Sequence, residues 1–191
     1  NLRGTEPLLM DLYDRPEAVV AACAELTDRW ERVFDLLYET ITSRGAGITT
    51  WVAAWSNQPY TLPTCDFNYM IGAEQFRRFC LPSLTDQARR VGRCVIHIDG
   101  PGAIKHMEAV AATPEITAVQ FTPGAGTPSA LAWLDTWHML QDAKKPITLA
   151  CPASEVADLC AKLDPRGLAM LVQGVATPAD AVELEAIAGV R

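Results

Sequence analysis

The stretch Arg93-Cys94-Val95-Ile96-His97-Ile98-Asp99-Gly100-Pro101-Gly102 decides the fold. A β-branched run stopped by Gly-Pro-Gly predicts a short buried strand that ends in a turn with a helix behind it. Strand side chains alternate, so Val95, His97 and Asp99 share one face while Ile96 and Ile98 share the other. Two titratable groups then stand at the carboxyl end of an apolar strand, which is where α/β proteins bind ligands and do chemistry.

Toward the carboxyl terminus the unit repeats. Residues 118–122 read as a strand closed by Pro123-Gly124-Ala125-Gly126, 129–143 as a helix with Leu131, Leu134, Trp137 and Leu140 inward, and 147–150 as a strand stopped by Pro152. A helix over 154–163, a strand over 168–172 and a final helix capped by Thr177-Pro178-Ala179-Asp180 follow. Strands alternating with such helices predict βαβ units and a parallel sheet.

Toward the amino terminus, Phe76, Phe79, Cys80, Leu84, Ala88 and Val91 mark a helix bent or broken near Pro82. Residues 48–55, β-branched and aromatic, read as a strand, followed by a loop and the extended segment 61–67. Asp14-Arg15-Pro16-Glu17 reads as a helix start with a capping box, and Val19 to Ile41 recur at helical spacing, predicting one long helix to about Ser43 packed on a sheet.

Composition sets the outer bounds. The 191 residues, 49% hydrophobic and 20% charged, suit an ordinary globular domain, here read as one domain over 1–191. A formal charge of −7 and an isoelectric point near 4.9 argue against a nucleic-acid partner. No apolar run reaches the roughly 18 residues of a membrane span and no leader pattern opens the chain, so a cytoplasmic protein is expected. Six cysteines lie scattered without a Cys-x-x-Cys pair, which predicts free thiols rather than a disulfide framework. The chain opens without methionine and in mid-pattern. Its five or so strands fall short of the eight strands and roughly 250 residues of a closed barrel. The expectation is therefore an α/β fold of the (β/α)8 TIM-barrel type, present as its carboxyl-terminal βα units, with sheet edges covered by an amino-terminal part or by a homo-oligomeric partner.

His97 and Asp99 are the sharpest candidates. They could act as acid and base, hold polar groups of a small-molecule substrate, or ligate a metal; the plainer reading is an interior histidine and a turn cap. Asp66 is either a second active-site carboxylate or a turn residue, and Cys65 beside it a candidate nucleophile or zinc ligand that lacks a neighbouring cysteine. Gln120 and Thr122 share a face predicted to point inward, making Gln120 a candidate substrate-binding amide. Cys151 is read as core. The glycine turns at Gly100 and after Thr122 could offer amide N–H groups to a carboxylate or phosphate. Trp51, Trp55 and Tyr69 could line a flat ligand or simply be core, and His106 and His138 read as surface or packing residues on helices.

The string His97-Ile98-Asp99-Gly100-Pro101-Gly102-Ala103-Ile104-Lys105-His106 resembles the uroporphyrinogen decarboxylase superfamily, and so do Cys65-Asp66-Phe67, Phe79-Cys80-Leu81-Pro82 and Gln120-Phe121-Thr122-Pro123-Gly124. Met10-Asp11-Leu12-Tyr13-Asp14 with Pro16-Glu17 is similar to that family's segment before its long middle helix. The resemblance aligns the whole chain with the carboxyl-terminal part of a barrel, in the decarboxylase-like branch related to corrinoid methyltransferases. It implies a cleft at the strand carboxyl ends serving one of two chemistries: cofactor-free decarboxylation of tetrapyrrole acetate side chains, or zinc-dependent methyl transfer between corrinoid proteins and thiols. The chain departs from both patterns. Phe67 stands where the decarboxylases carry serine, no late histidine occurs near Gln173-Gly174-Val175, and the methyltransferases' His-x-Cys becomes His97-x-Asp99 without a late cysteine.

What the resemblance implies is a carboxy-lyase-type enzyme for a tetrapyrrole-like or polycarboxylate ligand, needing no cofactor. There His97 exchanges a proton, Asp99 and Asp66 orient cationic or N–H groups, and Gln120, Thr122, Gly100, Trp55 and Tyr69 contact the ligand. The alternatives are a methyltransferase working with a corrinoid protein, with zinc on His97, Asp99 and Cys65, and a non-catalytic tetrapyrrole- or corrinoid-binding barrel.

Overall fold

The computed structural model describes residues 3–52, 54–124, 126 and 129–189. The pattern predicts no helix before Asp14, yet α1 (Thr5–Asp14) is helical and α2 (Pro16–Thr42) follows after a single residue. Asp14 therefore serves α1, and the expected capping box does not form. Arg15 is the N-cap without a side-chain bond, and Glu17 reaches instead to Arg78 at 2.7 Å. The expectation that α2 lies on a sheet is also corrected. It packs against α1, the turn Phe76–Cys80 and the helix Leu81–Val91, buries only Thr27, and leaves Leu26, Val33, Leu36, Leu37 and Ile41 exposed.

The strand expected over 48–55 is instead a small antiparallel hairpin, β1 (Ile48–Thr49) with β2 (Trp55–Ser56), Ile48 facing Ser56. Ala53, within the expected span, lies outside the described residues. Gly47 makes room for this hairpin, since a Cβ there would meet the Trp55 indole at 2.5 Å. A 3₁₀ turn, Asp66–Met70, leads to α3 (Ala73–Gln75), a π turn (Phe76–Cys80) and α4 (Leu81–Val91). The π turn explains how the chain passes Pro82. Leu81 N–H bonds the Phe76 carbonyl five residues back, so the ladder is already displaced where proline removes a donor.

From β3 (Val95–Asp99) onward the predicted alternation holds. A 3₁₀ turn (Pro101–His106) and α5 (Met107–Ala111) lead to β4 (Ala118–Thr122), and a 3₁₀ turn (Ala130–Trp133) and α6 (Leu134–Asp142) lead to β5 (Ile147–Pro152). Then come α7 (Val156–Lys162), β6 (Leu168–Gln173) and α8 (Pro178–Ala188). The strands form a four-stranded parallel sheet in the order β3-β4-β5-β6, with His97 beside Gln120 and Asp99 beside Thr122. On the far side of β3 the extended segment after the hairpin adds two bridges, Thr61 to Cys94 and Thr64 to His97. Of the glycine-rich turn after β4, Ala125 lies outside the described residues. The chain is thus a mixed α/β fold built on a parallel sheet.

One face of the sheet carries the core. Ile96, Ile98, Val119, Phe121, Ile147 and Leu149 are buried under Met107, Val110, Trp137 and Leu140, whereas Leu131 and Leu134 are half-buried at its margin. Cys151 is core as expected, and burial pushes its thiol up to about 11. The α8 cap also forms as read: Asp180 N–H donates to Thr177 Oγ1 at 3.2 Å and Thr177 N–H to the Asp180 carboxylate at 2.9 Å. Among the described residues no helix is long and apolar enough to cross a membrane.

Trp137 is the keystone of the core, fully buried, with its ring 4.9 Å from Phe121 and its Nε1–H donating to the Ala130 carbonyl at 2.7 Å. Trp137→Ala is expected to cost about 3–5 kcal/mol in urea unfolding. Trp137→Phe, which keeps most of the packing and forfeits the hydrogen bond, is expected to cost less than half of that.

Candidate functional site

The site grows from the polar face of β3. Between apolar neighbours the side chain of His97 is buried and needs a partner, which β4 supplies in register. Gln120 is fully buried. Its Nε2–H donates to Thr122 Oγ1 at 3.0 Å, which turns its Oε1 toward His97, where it accepts from Nδ1–H. His97 Nε2 stands outside this bond. The Trp51 ring stands edge-on to the imidazole, centroids 4.6 Å apart and planes at 85°.

Two carboxylates join it. Asp99 ends β3 on the same face, and the bridge between Thr64 and His97 carries the chain alongside β3 so that Asp66 arrives at the same end. One oxygen of Asp66, one oxygen of Asp99 and one ring nitrogen of His97 all lie within 4.8 Å of one another, the carboxylates exposed and the imidazole buried. Asp66, which sequence reasoning left open as a turn residue, is a full member of the cluster.

The 3₁₀ turn that starts at Asp66 is fastened from behind. His106, read from sequence as surface or packing, is fully buried; its Nε2–H donates to the Asn68 carbonyl at 2.8 Å and its ring stacks on Phe76 at 4.3 Å. Lys105 Nζ donates to the Tyr69 carbonyl at 3.0 Å. Gly102 lets the Tyr69 ring lie on the loop after β3, since a Cβ there would come within 2.6 Å of it. His138 lies on the exposed side of α6 and donates to the Lys162 carbonyl.

Several expected roles change. Gln120 has no exposed surface and braces His97 rather than meeting a ligand. Gly100 offers no free amide, because its N–H donates to the Thr122 carbonyl at 2.9 Å; its place in the loop follows from φ +73°. Trp55 covers Gly47 in the hairpin, and Trp51 is the indole that meets His97. Cys65 does not join His97 and Asp99. Its sulfur faces Cys80, 3.7 Å away, so the neighbouring thiol that the sequence spacing hides lies fifteen residues along the chain.

Asp66 also borders a cavity of about 870 Å³ whose wall is formed by Leu8, Val19 and Leu26 of α1 and α2, with Arg15, Phe67 and Met70. Of the cluster, Asp66 alone borders this apolar space, and Arg3 and Arg15, both paired with Asp11, border it as well. Comparison of the chain with protein-family models, curated proteins and solved structures returned no match.

Burial holds His106 below the usual imidazole range, because its Nδ1 has no hydrogen-bond partner to receive a proton's charge. The neutral ring is the folded form. Its contribution is present above the unfolded value near 6.5 and is lost as pH falls through the lowered folded value. Denaturant midpoints measured from pH 7.5 downward are expected to fall across that window, and His106→Gln to flatten the fall while lowering stability throughout.

Proposed function

We infer that the protein is an enzyme of the uroporphyrinogen decarboxylase type, a carboxy-lyase for a tetrapyrrole-like or polycarboxylate ligand, whose parallel sheet is an arc of a (β/α)8 barrel. The observation that carries this reading is the convergence of Asp66, His97 and Asp99 within 4.8 Å at the carboxyl end of β3. The alternation of parallel strands with helices and the motif resemblance support it, as does the apolar cavity beside Asp66.

In this reading the two carboxylates accept hydrogen bonds from pyrrole N–H or other cationic groups and set the ligand's orientation. Arg15 faces the ligand's own carboxylates from the cavity rim. His97, its Nδ1–H engaged by Gln120, uses Nε2 to exchange the proton that replaces carbon dioxide on the reacting carbon. Trp51 shields one edge of the imidazole.

The test is turnover of uroporphyrinogen, followed as carbon dioxide release and as less carboxylated porphyrins after oxidation. His97→Gln is expected to lower kcat by about 10²-fold or more, and Asp66→Asn to weaken ligand binding read by quenching of Trp51. Absence of both binding and turnover in the unaltered protein would overturn the reading.

A second reading, methyl transfer at a metal, is favoured by one specific feature. His97 donates its Nδ1–H to a side-chain carbonyl, as metal-bound histidines do, while one imidazole and two carboxylates fit zinc or a harder divalent ion. Asp66, His97 and Asp99 would hold the ion, which supplies activation of a thiolate that accepts a methyl group from a corrinoid protein. Metal analysis decides it: near-stoichiometric zinc, lost in His97→Gln, supports transfer, and a metal-free protein after zinc loading overturns it.

A further inference from the structure

Immediately behind Asp66 lies a pair of thiols for which the proposed chemistry has no use. Cys65 precedes Asp66 in sequence, Cys80 is the last residue of the π turn, and their sulfurs are 3.7 Å apart and both half-buried. Cys65 Sγ lies against Cys80 Sγ, and the Asn68 N–H donates to the Cys65 carbonyl at 2.9 Å, which fixes the start of the 3₁₀ turn beside the pair. Elsewhere, burial pushes Cys94 up to about 12 and Cys151 up to about 11, and raises Cys23. The cavity of about 870 Å³ is bordered by Asp66 and Phe67, which follow Cys65, and by neither sequence neighbour of Cys80, so the side of the pair nearer this space is that of Cys65.

We propose that Cys65 and Cys80 form a redox-active dithiol, with Cys65 the attacking sulfur and Cys80 the resolving one, that exchanges with small-molecule disulfides of the glutathione type. The Cys65 thiolate, its proton released to water, attacks one sulfur of the small disulfide. That sulfur–sulfur bond breaks, and the first small thiolate leaves and takes up a proton. Cys80 then gives up its proton and displaces the second small thiolate, forming the Cys65–Cys80 bond. The two protein thiols lose two electrons and two protons, and the small disulfide gains them as two thiols. Closure to bonding distance shortens the sulfur separation by roughly 1.7 Å. Because one peptide bond joins Cys65 to Asp66, the oxidised form shifts that carboxylate relative to His97 and Asp99. The dithiol is thus a modification site that sets the geometry of the cluster, and its chemistry does not depend on what the cluster catalyses.

The test is peptide mapping of the folded protein after equilibration with mixtures of oxidised and reduced glutathione and trapping with iodoacetamide. The expected result is a Cys65–Cys80 linked peptide lighter by two hydrogens. In Cys80→Ser a glutathione adduct is expected to persist on Cys65, whereas in Cys65→Ser Cys80 stays unmodified. Before oxidation Cys65 is expected to alkylate about tenfold or more faster than Cys80 at neutral pH. Equal alkylation of the two, or adducts spread evenly over Cys23, Cys65 and Cys160, would overturn the proposal. The mapping of the unaltered protein needs no substitution and reads no activity, so its outcome stands apart from that of the turnover assay.

Discussion

The hydrogen bond from His97 to Gln120, across two parallel strands, is the constraint on which the rest depends. Each side chain is surrounded by apolar neighbours, and an amide or imidazole stripped of water without a partner costs about 1–3 kcal/mol. Only the observed register places the two side by side, so the polar pair fixes how β3 and β4 meet as firmly as Ile96, Ile98, Val119 and Phe121 do on the other face. Thr122 completes the chain of bonds by holding the Gln120 amide the right way round. A buried network satisfied in this way keeps one ring nitrogen facing the carboxylates.

A second set of fastenings brings Asp66 to that nitrogen. The bridges at Thr61 and Thr64 tie the incoming chain to β3, and His106 and Lys105, both from the turn after β3, hold the carbonyls of Asn68 and Tyr69. The two loops that bear Asp66 and Asp99 are therefore locked to each other rather than independently mobile. The exposed ion pairs of α2 with α4 contribute little beside this, since surface pairs are worth about 0–1 kcal/mol each. A buried cation acts differently. Lys145 Nζ donates to the carbonyls of Thr113 and Ile116 and so shapes the turn that feeds β4, at the cost of a lowered affinity for its own proton.

The parallel strands were legible because strands covered on both faces read as short apolar runs between turn signals, and β3 and β4 appear within the expected bounds. The hairpin was not, because Ile48 to Trp55 has strand composition, and only the tertiary fold gives the place beside β3 to the proline-bearing segment around Thr61 and Thr64. For α2, helical spacing located the helix and was silent on what its apolar side meets. The site divides in the same way. His97 and Asp99 followed from alternation alone. Cys65 and Asp66 are neighbours in sequence, so which of them turns to His97 and which to Cys80 is decided by the 3₁₀ turn and its anchors. Those anchors, Lys105 on the Tyr69 carbonyl and His106 on the Asn68 carbonyl, join segments more than thirty residues apart, which no local spacing reveals.

The two edges of the sheet differ. Among the described residues β6 has β5 on one side only, and α8 beside it buries no side chain, leaving Val182 and Ile187 exposed. β3 is engaged on both sides, by β4 and by the bridges to Thr61 and Thr64, and is thereby held in one register. The polar cluster stands at that engaged side. His97, Gln120 and Thr122 share the face opposite Ile96, Ile98 and Phe121, and the two carboxylates stand at the carboxyl end of β3. The geometry of the cluster is therefore set by the part of the sheet that is paired on both sides, which is what allows two exposed carboxylates to keep their places beside a buried imidazole.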